Sequence, residues 1–184
     1  AQRPPGDGEK SWKRSGCAGR RRAVSSRPQG TLAAAVPHVE KRRWWNTLIG
    51  NPAGGLTALP PLEVDFSRLP DGLNPILSFE SKAMPDSPYW TDITFKKAEI
   101  ADDEREEIER HARTMFARIG LQDYGRFDFR RGADGVIKLM EVNPNPAWAN
   151  DGKLAFMAGF AGIPYPRMLE MVVDAAIARI GGEG

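Results

Sequence analysis

The chain has 184 residues, 41% hydrophobic and 27% charged, with a formal net charge of +2, which suits one good globular core and a small second subdomain. One cysteine, Cys17, excludes an internal disulfide and a multi-cysteine zinc site, and two histidines, His38 and His111, exclude a histidine-rich metal cluster. No apolar run approaches the ~20 residues that span a bilayer, no signal-peptide core follows the first residues, and a lone thiol fits a reducing, cytoplasmic setting.

The charge is unevenly spread. Residues 1–43 hold 11 Lys/Arg against Asp7, Glu9 and Glu40, whereas the remainder holds 15 basic and 21 acidic residues. A basic tail on an acidic domain is compatible with an anionic partner, but its Arg, Gly, Ser and Pro content equally fits a solvated extension that cannot offset its ordering entropy. Thr47-Leu48-Ile49 then reads as a strand running into a turn at Gly50-Asn51. Trp44 and Trp45 would point to opposite faces of that strand, which requires both faces to be covered. Leu62, Val64 and Phe66 alternate with Glu63 and Asp65 as a half-buried strand behind Pro60-Pro61. A long irregular stretch follows, with a short strand expected at Ile76–Phe79. The loop from Lys82 to Tyr89 resembles a lid or binding loop in its composition. Lys82, at its start, could reach an anion or simply be a surface lysine.

Acidic residues at Asp102 and Asp103 open the clearest helix, with an apolar stripe of Ile108, Ala112, Met115, Phe116 and Ile119 and a stop at Gly120. His111 lies beside the stripe as a structural residue. A short helix is expected over 151–162. A last helix, with Pro166 in its first turn, would turn Leu169, Val172, Val173, Ala176, Ile177 and Ile180 to the core. Between the first and second of these helices lies a hairpin, YGRFDFR and VIKLMEVNPNP about an Asp134-Gly135 turn. With Arg131 opposite Val136, the alternation of side chains gathers Arg126, Asp128, Glu141 and Asn143 on one surface. Two carboxylates and a carboxamide, with no His or Cys, suit a hard cation such as Mg²⁺ sharing its shell with phosphate oxygens. A guanidinium beside them suits a transferring phosphoryl group. The plain alternative is a hairpin with an ordinary charged wet face.

GRFDFR, VIKLMEVNPNP and FAGIPYPRMLEMVVDAA resemble the C-terminal lobe of the ATP-grasp superfamily, nearest to D-alanine–D-alanine ligase and its relatives. The segment from Leu59 to Trp90 resembles that family's strand and mobile loop, so the likeness covers roughly residues 46–180. It implies an α+β fold, a mainly antiparallel sheet with flanking helices over 46–184, preceded by a disordered or degenerate basic segment over 1–45. It also implies ATP and Mg²⁺ (or Mn²⁺) as cofactors, with Asp128, Glu141 and Asn143 as metal ligands and Arg126 steadying the transferring phosphate. Lys82 would reach the terminal phosphates. Met140 and Glu141 would lie at the nucleotide, with Ile76 facing the adenine and Glu40 at the ribose. The implied reaction activates a carboxylate as an acyl phosphate, which an amine then attacks to form an amide.

Around VEKRRWWNTLIGN the family would have a Gly-Arg-Glu-aromatic strand, and here Arg43-Trp44-Trp45 intrude. Ala147 stands where dipeptide-forming ligases place a glycine, and Lys153 could pair with a substrate carboxylate. The expected partners are therefore ATP and a small carboxylate or amine, an amino acid or peptide, with room for a homodimer and no membrane. Two other classes stay open. One is a non-catalytic Mg-ATP-binding fragment or pseudoenzyme. The other is a nucleic-acid binder using the basic tail, for which no recognition motif is present.

Overall fold

Two adjacent tryptophans in one strand demand apolar cover on both sides, and that demand fixes the architecture. In the computed structural model, which describes residues 42–181, β1 (Arg42–Asn51) is the central strand of a six-stranded sheet. Its first half pairs with β3 (Leu62–Asp65) and its second half with β2 (Gly55–Ala58). Along its other edge runs β5 (Tyr124–Arg131), which pairs in turn with β6 (Ile137–Asn143). β4 (Thr94–Lys97) closes the far edge beside β3, and every pairing is antiparallel. The boundary expected at residue 46 therefore falls inside β1, because Arg42–Trp45 pair with Asp65–Leu62. Glu40 and Cys17 lie outside the described residues.

Trp44 packs with Leu48, Phe127, Phe129 and Ile137 beneath Ile108, Ala112 and Phe116 of α3 (Asp102–Arg118). Trp45 faces the other way. It packs with Ile49, Leu62 and Val64 against Leu154 and Met157 of α4 (Lys153–Phe160) and Met168 and Val172 of α5 (Tyr165–Gly181). The sheet thus has a core on each face, and the helix expected from the acidic start at Asp102 ends at Arg118, with Gly120 in the left-handed region at φ 68°. No helix among the described residues is long and apolar enough to cross a membrane.

Several local expectations fail for identifiable reasons. β3 is not half-buried, since Leu62, Glu63 and Val64 are all buried. Because β4 covers that edge, Glu63 sits next to Lys96, and burial pushes its carboxyl above the usual range. Ile76–Phe79 forms no strand. Prolines at 75, 85 and 88 deprive the region of donors, and it folds instead into two single-turn helices, α1 (Glu80–Ala83) and α2 (Pro88–Thr91). The core stripe of α5 is rotated from the expected one. Met168 and Val172 are buried, whereas Val173, Ile177 and Ile180 are exposed. β2 and β4, four residues each, gave too short a pattern to be expected at all.

Candidate active site

The hairpin register sets the site. Arg131 pairs with Ile137, not Val136, because the turn accommodates one more residue: Gly132 N–H donates to Val136 O (2.9 Å) and Gly135 takes φ 77°. Continued unchanged, this register would set Met140 opposite Asp128. A bulge after Phe129 adds a residue to β6, so Asp128 pairs with Glu141 and Arg126 with Asn143. The surface expected to carry Arg126, Asp128, Glu141 and Asn143 does carry all four, through two one-residue shifts that together restore the parity. It is the face that also bears Trp45 and the α4–α5 core, because Trp45 pairs with Asp128 and Thr47 with Arg126.

Asp128 is fully buried at the centre. Its Oδ1 accepts from Arg126 Nε at 2.7 Å, and its Oδ2 accepts from Arg126 Nη2 at 3.2 Å. Oδ2 also accepts from Arg43 Nη2 at 2.5 Å. Each guanidinium reaches on towards Glu141: Arg43 lies 3.5 Å and Arg126 4.0 Å from its carboxylate. Arg126 is held over the Trp45 ring, 4.0 Å from guanidinium carbon to ring centroid. Arg130, opposite Arg43 in the sheet, donates to Pro75 O at 3.0 Å and so ties the loop before α1 to the site. Burial and the neighbouring Arg43 both lower its hold on its proton from the ordinary arginine value. Arg43 was not among the expected site residues. Its only sequence signal was its place, two residues before Trp45, on the same strand face.

Oxygen donors alone would suit a magnesium ion, and in this structure those oxygens are engaged by other groups. Both oxygens of Asp128 already accept guanidinium hydrogen bonds. Asn143 Oδ1 accepts from Asn145 N–H at 2.9 Å. Among the described residues no cluster of three or more His, Cys, Asp or Glu is placed to hold a metal ion. Among the described residues, Arg43, Arg126 and Arg130 stand about Asp128 and Glu141, so guanidinium donors line this cluster.

The remaining expected residues are scattered around this centre. Lys82 is exposed on α1, and Ile76 is exposed in the loop before it. Met140, pushed outward by the bulge, is exposed and lines with Arg130, Arg131, Gly132, Ala133, Asp134 and Lys138 a largely apolar hollow of about 460 Å³. Met140 and Glu141 also line a smaller hollow of about 170 Å³ with Arg43 and Arg130. Ala147 is exposed in the loop after β6. Lys153 opens α4 with its Nζ 3.9 Å from the Phe95 ring centroid and 4.9 Å from that of Phe156. Burial pushes its ammonium below the usual lysine range, only partly opposed by Asp151. Phe95 touches Trp45 (5.6 Å between centroids), so along the site the two rings lie side by side with Arg126 on one end and Lys153 on the other. Asn145 is bonded to the Tyr124 hydroxyl, and Tyr124 stacks edge-on against Trp148, so these residues brace the loop.

An antiparallel sheet with helices on both faces and this hairpin at one edge is the ATP-grasp architecture. Residues 75–174 match the family described as D-ala D-ala ligase C-terminus, and the chain belongs to that family. It is similar to the D-alanine–D-alanine ligase of Desulfotalea psychrophila, 28% identical over 128 residues, covering 70% of this chain and 37% of that protein. A stretch of 82 residues is 37% identical to the D-alanine–D-alanine ligase of Mycolicibacterium smegmatis, covering 45% of this chain and 22% of the relative. The crystal structure of the D-alanine–D-alanine ligase from Bacillus anthracis complexed with ATP shares the fold, with a TM-score of 0.57 and 18% identity, over 78% of this chain and 40% of that one. The match thus spans 22–40% of the length of these relatives.

Proposed function

We propose that this chain is the phosphate-handling lobe of an ATP-dependent carboxylate–amine ligase. The observation that carries the reading is the meeting of Arg126, Asp128, Glu141 and Asn143 on one sheet face within the family-matched segment. In the proposed reaction ATP gives its terminal phosphoryl group to a substrate carboxylate. The acyl phosphate so formed is attacked by an amine, yielding an amide, inorganic phosphate and ADP. Arg126, fixed by Asp128 and by the Trp45 ring, presents a guanidinium to the charge that builds on the transferring group without having to reorganise. Lys82 supplies a second, movable cation from the exposed turn of α1. The hollow at Met140 takes the adenine with Ile76 opposite. Lys153, made less basic by burial, and Ala147 border the place of the second substrate, a small amino acid or peptide. A cytoplasmic setting suits such a nucleotide-dependent enzyme and the single thiol Cys17.

The test is calorimetric titration of the chain with ATP, once in EDTA and once in excess Mg²⁺, beside Arg126→Ala. Binding in either condition that the substitution abolishes supports the reading. No binding in both conditions refutes it for this chain. A second reading, nucleotide binding without catalysis, is favoured by one observation: Arg43 occupies the carboxylates that the family likeness assigns to metal. Release of ADP with amino-acid substrates separates the two, since a non-catalytic lobe binds ATP and releases none.

A further inference from the structure

We infer that Arg43 is a resident cation standing between Asp128 and Glu141, and that it sets the preference of this site for anions over divalent metal ions. Its Nη2 lies 2.5 Å from Asp128 and 3.5 Å from Glu141, so one guanidinium nitrogen spans the two acidic groups across three strands. The placement follows from the sheet. Arg43 and Trp45 are two residues apart on β1, Trp45 pairs with Asp128, and the bulge in β6 sets Glu141 beside Asp128. Asp128 is fully buried, so a metal ion reaches its oxygens only if a neighbouring side chain moves aside, and Oδ2 already accepts from both Arg43 and Arg126 while Oδ1 accepts from Arg126. Arg43 is the weaker tie. Arg126 is bidentate to Asp128 and lies over the Trp45 ring, whereas Arg43 donates to Asp128 through one nitrogen. It also faces the like charge of Arg130, whose proton affinity it lowers.

A guanidinium differs from a divalent ion in a way that changes what the site accepts. It carries one charge and directional donors, and it is tethered, so it cannot bring its own shell of waters or leave with a product. Removing it takes away one of the two guanidiniums that hold Asp128 and frees a lone pair of its Oδ2 for a hard cation. The inference concerns the metal preference of the same cluster to which the ligase reading assigns phosphate, and it rests on that reading only in the choice of cluster.

The experiment is a titration of the whole chain with Mn²⁺ alone, free ion followed by electron paramagnetic resonance, for the wild type, Arg43→Gln and Arg43→Gln/Asp128→Asn. The expected result is no saturable binding in the wild type, at least tenfold tighter binding in Arg43→Gln, and loss of that gain in the double variant. Equal Mn²⁺ affinity in the wild type and Arg43→Gln overturns the inference. Should Arg43→Gln not fold, the wild type decides against Asp128→Asn: saturable Mn²⁺ binding that Asp128→Asn abolishes overturns it, and its absence supports it. No nucleotide enters the titration, so a failure to bind ATP counts against the ligase reading and leaves this result standing.

Discussion

Asp128→Ala removes a fully buried carboxylate that takes three hydrogen bonds from two guanidiniums. Taking one partner from a buried ion pair costs about 3–5 kcal/mol, because the charge left behind is desolvated and unpaired. The lower end applies here. Arg43 and Arg126 keep 17% and 16% exposure, and both retain Glu141 within 4.0 Å. The expected loss is therefore about 3 kcal/mol, which at a urea slope of about 2 kcal/mol/M lowers the unfolding midpoint by about 1.5 M. Arg43→Gln should cost far less, about 1 kcal/mol, since Asp128 keeps its bidentate contact with Arg126 and the repulsion between Arg43 and Arg130 disappears. The double variant Arg43→Gln/Asp128→Ala should then fall short of the sum of the two by roughly 1 kcal/mol or more, as groups sharing one network do. Urea unfolding followed by tryptophan fluorescence measures all three. A midpoint shift below about 0.3 M for Asp128→Ala, or strict additivity in the cycle, would show that the guanidiniums are not held by this carboxylate.

Three further changes probe the α1 turn, the β1–β2 turn and the end of α5. Lys82→Ala should weaken ATP binding severalfold while leaving the melting temperature within about 1 °C, because the side chain is exposed on a single-turn helix; equal affinity in calorimetry removes it from the site. Gly50→Ala should destabilise by about 2 kcal/mol or more, since φ is 122° and the added Cβ would sit 2.2 Å from Gly55 O; an unchanged urea midpoint would contradict the β1–β2 turn geometry. Asp123 binds Arg179 of α5 at 2.9 and 3.1 Å and Asn51 of β1 at 2.9 Å, and the Arg179 contact above all holds its carboxyl below the usual range. A depressed folded-state value means that its contribution is present above the ordinary aspartate range and fades as pH falls through the folded value. The stability gap between wild type and Asp123→Asn should therefore shrink on acidification below about pH 4, and a gap constant from pH 7 to 3 would refute this.

What could be seen in the sequence was what alternation and punctuation encode. The hairpin announced itself by Asp134-Gly135, and the covered faces by the adjacent tryptophans. Two errors in the hairpin cancelled: the turn is a residue longer than expected, and the bulge at Met140 consumes a residue, so the predicted face survived a wrong register. The failures share a cause. β2 and β4 are four residues long, and their existence depends on neighbours that local patterning does not contain. On α5, the apolar residues Val173, Ile177 and Ile180 form as good a stripe as Met168 and Val172, and only docking against β1 and α4 decides which is buried. Arg43 was invisible as a site residue because its partners are 85 and 98 positions away.

That last distance bears on how such a motif should be interpreted. The R-x-D and E-x-N pairs fix which groups share a face, but they do not fix the sign of the charge the face attracts. The neighbouring strand does. With a neutral or acidic residue at position 43, Asp128 would keep a free lone pair beside Glu141, and the cluster would be an oxygen site for a divalent ion. With arginine there, a guanidinium already stands against both carboxylates, although nothing in the hairpin has changed. The chemistry of the hairpin is thus decided by a residue on β1, and replacing Arg43 should change the ligand of the site without altering its fold.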